Sequence, residues 1–381
     1  MLKLAVLSIS MMLLSPPVIN GILPEIRDSL AITQAQSELI TTIPSIASLV
    51  VILLSNVIAK WVGIKKIILV GLMLVGIGGV LPVVANDFAL MLVGRTILGA
   101  GLGLYGPLAI DLINLLFDEK ERATLMGYRS AIEQLGQSSM SMVVGGLAVL
   151  SWNMSFLVYA LAFLLALAFF IWVPELNSPN GEVDEGTALE VSKMTPLVYP
   201  IVMLTVIVVL NGAAIGIRFP ALAAEIMGDG YNSSVFFVLK PIIGICAGFF
   251  FGRLHKALGR KLLYIGLTCL GIASLLVGFS GGSFVILATG FLLSSLVPAW
   301  IFPFIFMMAS RKTDGSARKL AMSLILVGLN ASVFAMTPIV GMIEMLVGST
   351  ALVAPYPMLS GLVFAALFSM MIWGPRLIEK T

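Results

Sequence analysis

Arg129 and Glu133 stand four residues apart in an otherwise apolar stretch, with Gln134 beside the acid and Gln137 four residues beyond it. On a helix this spacing sets the guanidinium, the carboxyl and the second amide on one face. Burial and a neighbouring guanidinium act on a carboxyl in opposite senses, so a modest change of surroundings can switch its charge. That is the chemistry of a proton-coupling group, and the same two residues can equally serve as a structural ion pair. Arg95, Asp111, Arg218 and Lys240 are the other charges placed inside long apolar runs. A charge at the middle of a bilayer costs about 2.5–3.5 kcal/mol on insertion scales, so it normally faces a water-filled cavity or a partner. Glu133, Arg95 and Asp111 are therefore the candidates for proton handling, and Arg129, Lys240 and Arg218 for solute contact. Four of these six groups are basic and two acidic, which leans the expected cavity toward an anionic or carboxylate-bearing solute.

Other polar groups in apolar runs are Asn20, Asn211, Tyr105, Trp300 and Asn330. Asn20-Gly21 and Asn211-Gly212 occupy similar places and are each followed by a proline. Amides at such bends either bind solute or restrain the helix. Lys240 precedes Pro241, and proline frees a backbone carbonyl and lets a helix bend.

The elements that must hold these groups are long and apolar. Of 381 residues, 59% are hydrophobic and 11% charged, against about 25% charged in a soluble domain. Stretches of about 20 apolar residues, enough to cross a bilayer, fall near 4–24, 38–59, 66–86, 88–113, 123–149 and 153–173, and again near 197–220, 232–252, 262–281, 283–308, 319–346 and 350–373. The expected fold is an all-α membrane protein of twelve transmembrane helices. It comprises a six-helix bundle over 1–173, a cytoplasmic loop over 174–196 and a second bundle over 197–381. Residues 1–15 also look like a signal-peptide core, but the apolar run continues through Pro16-Pro17 without a small-residue cleavage site. They are read as the first span.

Lys and Arg set the orientation. With the N-terminus inside, the inner segments collect Lys3, Lys60, Lys65, Lys66, Lys120, Arg122, Arg253, Lys256, Arg260, Lys261, Arg311, Lys312, Arg318 and Lys319, while an outer loop receives Arg27. Both termini are expected on the cytoplasmic side of a cell (inner or plasma) membrane. This placement also accounts for the net charge of +3 without invoking nucleic acid.

One register relates the two halves. Asn56-Val-Ile-Ala-Lys60-Trp-Val-Gly63-Ile-Lys65 aligns without a gap on Gly252-Arg-Leu-His-Lys256-Ala-Leu-Gly259-Arg-Lys261, an offset of 196 that also carries Pro24 onto Pro220 and Pro107 onto Pro303. Doubled membrane units of this kind commonly enclose a central solute site. The doubled loop resembles the G-x-L-A-D-R-x-G-R-K loop of the major facilitator superfamily, more closely in its second copy. Arg95 with Gly99, Gly101 and Gly103 is similar to the superfamily's Arg-plus-glycine motif in the fourth helix. The resemblance implies alternating access about a midplane site, a role for Arg95 in proton handling, and a gate at Lys60, Gly63, Lys256 and Gly259. Two departures stand out. The acid expected in each loop is Lys60 or Lys256, which as latch residues would pair with Asp111, Asp118, Glu119 or Asp314. In the fifth span only Gly145 and Gly146 survive of the exporter pattern G-x-x-x-G-P-x-x-G-G, both suited to close helix contact.

Several classes fall away. Gly278-Phe-Ser280-Gly-Gly282 fits a nucleophile elbow, but it lies in an outer turn while His255, the single histidine, belongs to an inner loop. Cys246 and Cys269 sit in apolar runs with no disulfide or metal spacing. No phosphate-binding G-x-x-x-x-G-K-[ST] loop occurs. The expectation is a proton-coupled secondary transporter of a small organic solute: not an enzyme, without cofactor or metal, and a monomer in the lipid bilayer. A multidrug exporter is the rival within transport. An uncoupled facilitator, or a membrane scaffold without transport, are the further alternatives.

Overall fold

The computed structural model describes the backbone of residues 1–84, 87–174, 198–228, 231–312 and 315–378, and there the chain is helices joined by short turns, without a strand. All but the first residue of the expected 174–196 loop therefore lies outside the described residues. Nine helical stretches among the described residues are long and apolar enough to cross a bilayer, and a bent pair, Leu2–Met12 with Pro16–Ser29, makes a tenth. Two expected spans fall short of that test for visible reasons. Helix α6 (Glu119–Ala148) is long but carries the charged and amide stripe, and α14 (Tyr356–Ile378) has described side chains only as far as Ile372, so its apolar stretch counts from Tyr356 to Ile372.

The chain forms two compact units: Met1–Pro179 with Asp229–Ile242, and Asn180–Gly228 with Ile243–Thr381. In the first unit, the opening span is α1 (Leu2–Ser8), two tighter 3₁₀ turns and α2 (Leu23–Ser29), bent by 47° at the break before Pro16-Pro17. Two successive residues without an N–H cannot continue an α-helix, so the bend follows from the sequence. Helix α5 (Phe88–Leu116) lies between α3 (Gln34–Val62) and α4 (Ile64–Val80). Its glycines divide between these neighbours: Gly99 and Gly103 meet α3 at Pro44 and Ser48, and Gly94 and Gly101 meet α4 at Gly78 and Gly71. A Cβ at Gly101 would come within 2.5 Å of the Gly71 carbonyl oxygen, so backbone contact requires glycine there. The N-terminus of α5 is capped by Asp87, whose Oδ1 accepts from the Leu90 N–H at 2.8 Å.

The second unit has its own close helix pairs. Helix α8 (Val198–Met227) packs on α13 (Gly315–Val347), and α10 (Lys261–Gly278) packs on α11 (Phe284–Leu293), α12 (Leu296–Lys312) and α14. Glycine-on-aromatic contacts recur in both units. Gly76 faces Phe163 of α7 (Leu161–Trp172) and Gly79 faces Tyr159 in the first, while Gly271 faces Phe364 and Gly278 faces Tyr356 in the second. The pairs are alike in kind, although they do not fall at the offset of 196 read from the sequence.

Gly63 ends α3 at φ +90° and Gly259 ends α9 (Ser234–Leu258) at φ +53°, so the two glycines of the doubled loop both take positive φ, Gly63 with an extended ψ of 145°. The Gly259 N–H closes the last turn on the His255 carbonyl at 2.8 Å. A Cβ at either glycine would meet nothing within 4 Å, which leaves backbone strain as the cost of substitution. Gly63→Val and Gly259→Val are each expected to destabilise the folded protein by about 1–2 kcal/mol. Thermal unfolding of the detergent-solubilised variants measures this, with Gly259→Asn recovering part of the loss seen in Gly259→Val.

Candidate polar site in the first six-helix half

Helix α6 brings Arg129 and Glu133 together as the spacing requires, with Nη2 2.7 Å from Oε1 and both side chains 16% exposed. The approach is short but off the direction of the guanidinium N–H bonds. Glu133 Oε1 accepts no aligned hydrogen bond, and Arg129 Nε is buried without an acceptor. The pair is an ion pair with unused hydrogen-bonding capacity. Tyr105 of α5 is fully buried within electrostatic reach of both charges, and its hydroxyl donates to the Ile9 carbonyl at 3.3 Å. Gln134 and Gln137 are half-buried on the same helix. Gly136 lets α6 approach the opening span: a Cβ there would lie 2.8 Å from the Met11 carbonyl oxygen.

Arg95 does something the sequence reading did not foresee. It is fully buried, and its described partners are neutral oxygens. Nε donates to the Ile40 carbonyl at 3.0 Å, Nη1 to the Tyr159 hydroxyl at 2.8 Å and Nη2 to the Pro16 carbonyl at 2.7 Å. Ile40 is four residues before Pro44, so its carbonyl is the one that Pro44 leaves without a helical N–H. Tyr159 in turn donates to the Ser15 carbonyl at 3.0 Å. One guanidinium and one phenol therefore satisfy carbonyls at the proline breaks of two helices. Neither an interfacial, snorkelling arginine nor an arginine facing a carboxylate matches this environment.

Lys240 is half-buried on α9 and belongs to the first unit. Ser138 of α6 donates to the Val238 carbonyl at 2.7 Å, so α9 touches α6 two residues before Lys240. The start of α9 is tied down by Asn232 Nδ2 donating to the Gly145 carbonyl and Ser233 Oγ donating to the Gly21 carbonyl, each at 3.1 Å. Ser234 sits in a notch between Gly21 and Gly145, where added Cβ atoms would come within 2.5 Å of its Oγ and 2.6 Å of its Cβ respectively. Gly146, expected to allow close contact beside Gly145, is exposed and faces open space. Asn20 is buried and accepts from the Thr41 hydroxyl at 3.1 Å.

In the second unit Arg218 is 4% exposed at its side chain and pairs through Nη1 with Glu344 Oε1 of α13. Asn211 is buried and accepts from the Ser274 hydroxyl at 2.6 Å, while its Nδ2 is buried without an acceptor. Trp300 Nε1 donates to the Ala247 carbonyl at 3.2 Å, and Asn330 Nδ2 bonds back to the Leu326 carbonyl of its own helix at 3.1 Å.

Asp111 is exposed near the C-terminal end of α5, and Lys256 is exposed near the end of α9. The side chains of Lys60 and Glu119, and all of Asp314, lie outside the described residues, so those latch pairings do too. Two acids missing from the sequence reading belong with the charges in spans: Glu38, fully buried in α3, and Glu344. Both stood within the expected spans 38–59 and 319–346, at ends where a carboxylate reads as interfacial. With them, four basic groups face four acidic ones, and the net positive lean disappears. Among the described residues no group of three His, Cys, Asp or Glu side chains could hold a metal.

The sequence profile described as Major Facilitator Superfamily matches residues 4–265. The hexuronate transporter of Bacillus subtilis (strain 168) is 25% identical over 282 residues, covering 68% of this chain and 66% of that protein. The bacillibactin exporter of the same organism is 32% identical over 112 residues, 27% of this chain and 28% of the exporter. The chain thus aligns with less than two thirds of either relative. Among solved structures, a POT family transporter in complex with 5-aminolevulinic acid superposes at a TM-score of 0.80 and 13% identity, covering 99% of this chain and 96% of that one. The xylose transporter XylE from E. coli superposes at 0.74 and 16% identity, covering 97% and 94%. These structures share the fold. With the profile spanning both the Arg95 motif and the doubled loops, the chain belongs to the major facilitator superfamily.

Proposed function

We propose that this protein is a secondary carrier that moves a small organic solute across the cell membrane by alternating access, coupled to protons at Glu133. The carrying observation is the half-buried Arg129–Glu133 pair, short in distance yet unaligned, with a guanidinium N–H left without an acceptor. Protonating Glu133 removes its attraction for Arg129 and frees the guanidinium to meet a solute carboxylate. Losing the proton restores the pair. That exchange of partners links the two ligands. Lys240, half-buried on α9, supplies a second cation for an anionic solute, and Gln134 and Gln137 supply amide hydrogen bonds. The balance of charges no longer argues for an anion. The support comes from the half-burial of these two cations and from the partial likeness to a hexuronate transporter. The distribution of Lys and Arg supports cytoplasmic termini. Arg95 is assigned to holding the bent helices, and the proton role rests on Glu133.

A second reading, export of toxic compounds, has one observation in its favour. The bacillibactin exporter and the puromycin resistance protein of Streptomyces alboniger align over 27% and 41% of this chain.

The test is proton movement in proteoliposomes, wild type beside Glu133→Gln, against a panel of organic anions and lipophilic cations. A solute-evoked pH change is expected with carboxylates, falling at least about tenfold in Glu133→Gln, while solute exchange at equal pH persists. Equal proton signals in the two proteins would remove Glu133 from the mechanism. A response confined to lipophilic cations would favour the exporter.

A further inference from the structure

We propose that the lipid-facing surface shared by α4 and α7 holds an anionic phospholipid, its phosphate headgroup met by Lys65 and Lys66. The inference needs only that these helices cross a bilayer, and it is independent of proton coupling. Lys66 is exposed at the start of α4, and Val70, Met73 and Ile77 follow it at 49%, 43% and 47% exposure. Steps of four, three and four residues keep all of them on one helical face. A lysine therefore heads an apolar stripe turned away from the protein. From Lys66 to Ile77 the stripe runs about 16 Å along the axis. One leaflet contributes about 15 Å to a hydrocarbon core of about 30 Å, so the stripe matches the reach of one acyl chain.

Helix α7 supplies the other wall. Gly76 faces Phe163, which draws α4 onto α7, and Leu164, Leu167 and Ile171 form an exposed apolar stripe beside the first. At the lysine end, Lys65 Nζ lies 5.2 Å from the centre of the Phe170 ring, which is 60% exposed. The ring holds the ammonium by its face, so the charge stands on the outer surface where the two helices meet. Trp172 is also exposed and ends α7, and tryptophan settles at the depth of lipid headgroups.

Charge selects the lipid. Neither Ile64–Val80 nor Leu161–Trp172 contains an Asp or Glu, so the two ammonium groups have no carboxylate on either helix. On a surface that faces a bilayer, the complementary charge comes from lipid phosphate. A zwitterionic headgroup brings its own cation toward the lysines, whereas phosphatidylglycerol brings a net negative charge. The spacing recurs in the second unit. Lys261, Ile265 and Ile272 are exposed at the same intervals on α10, whose Gly271 faces Phe364 of α14.

Native mass spectrometry of the full chain in detergent, titrated separately with phosphatidylglycerol and phosphatidylcholine, tests this. Phosphatidylglycerol should bind at least about tenfold more tightly, and Lys65→Ala/Lys66→Ala should weaken it at least about tenfold. Lys65→Arg/Lys66→Arg should keep the affinity. Lys3→Ala removes an exposed lysine already paired with Glu121 and should leave it unchanged. Equal binding of the two lipids, or an equal loss in Lys3→Ala, overturns the proposal by reducing the site to general attraction between charges. A loss in the arginine variant as deep as in the alanine variant overturns it too, because charge is then not what binds. Displacement of the lipid by an equal concentration of inorganic phosphate would assign the lysines to a free anion and overturn the lipid. None of these readouts involves proton movement, so the reading at Glu133 stands or falls separately.

Discussion

Arg95→Met is expected to yield a protein that is both unstable and inactive, with the fall in stability larger than that of any single substitution among the solute-contact candidates. The methionine fills much of the volume but leaves the Ile40 and Pro16 carbonyls and the Tyr159 hydroxyl without their donor. Each buried polar group deprived of its partner costs about 1–3 kcal/mol. Three such losses sum to several kcal/mol, against a total stability of about 5–15 kcal/mol. Arg95→Lys retains the charge but offers a compact ammonium in place of a planar fork, so it can serve one or two of three acceptors. Thermal unfolding should order the proteins as wild type, Arg95→Lys and Arg95→Met. If Arg95 acted mainly on protons, the lysine variant would melt like wild type and lose only the proton signal. An unfolding midpoint of Arg95→Met within a degree or so of wild type would overturn the clamp.

The second large effect belongs to the notch that receives Ser234. Gly21→Val and Gly145→Val are each expected to cut solute flux by tenfold or more, equivalent to about 1.4 kcal/mol. At Gly21 even a Cβ would stand 2.8 Å from Ser234 Cα and 2.9 Å from its N, which are backbone atoms that cannot rotate away. The first turn of α9 must shift, breaking the hydrogen bonds from Asn232 and Ser233. Gly146→Val supplies the control, because a Cβ there meets nothing within 4 Å and the residue is exposed. Flux of labelled solute in proteoliposomes measures all three. Equal losses at Gly145 and Gly146 would point to a general intolerance of bulk in α6 and would sink the notch.

The spans, the repeat and the Arg129–Glu133 pair were legible because each depends on local spacing: twenty apolar residues, a fixed offset, four residues on a helix. The bend of the opening span was equally local, being written in Pro16-Pro17, although the apolar run alone reads as one straight helix. The role of Arg95 was not legible. Its three acceptors come from positions 16, 40 and 159, and only the fold brings them to one side chain. The match of Ile40 to Pro44 was nevertheless visible in the sequence, since any proline strips the carbonyl four residues earlier of its donor. Arg218 and Glu344 lie 126 residues apart, so no spacing rule could pair them. Glu38 was hidden by its position at the head of a span, where depth depends on neighbours that the sequence does not order.

The offset of 196 carries Arg95 onto Phe291. Phe291 is fully buried and its ring stacks on Phe219 at a centroid distance of 4.0 Å. At this position, then, one half holds a fork of directional bonds and the other a pair of stacked rings. Hydrogen bonds to three fixed oxygens resist sliding and twisting alike, whereas stacked rings hold their separation yet let one helix slip across another. The two halves thus inherit one plan but different mechanical compliance, stiff at the bend of the first and yielding at the matching place in the second.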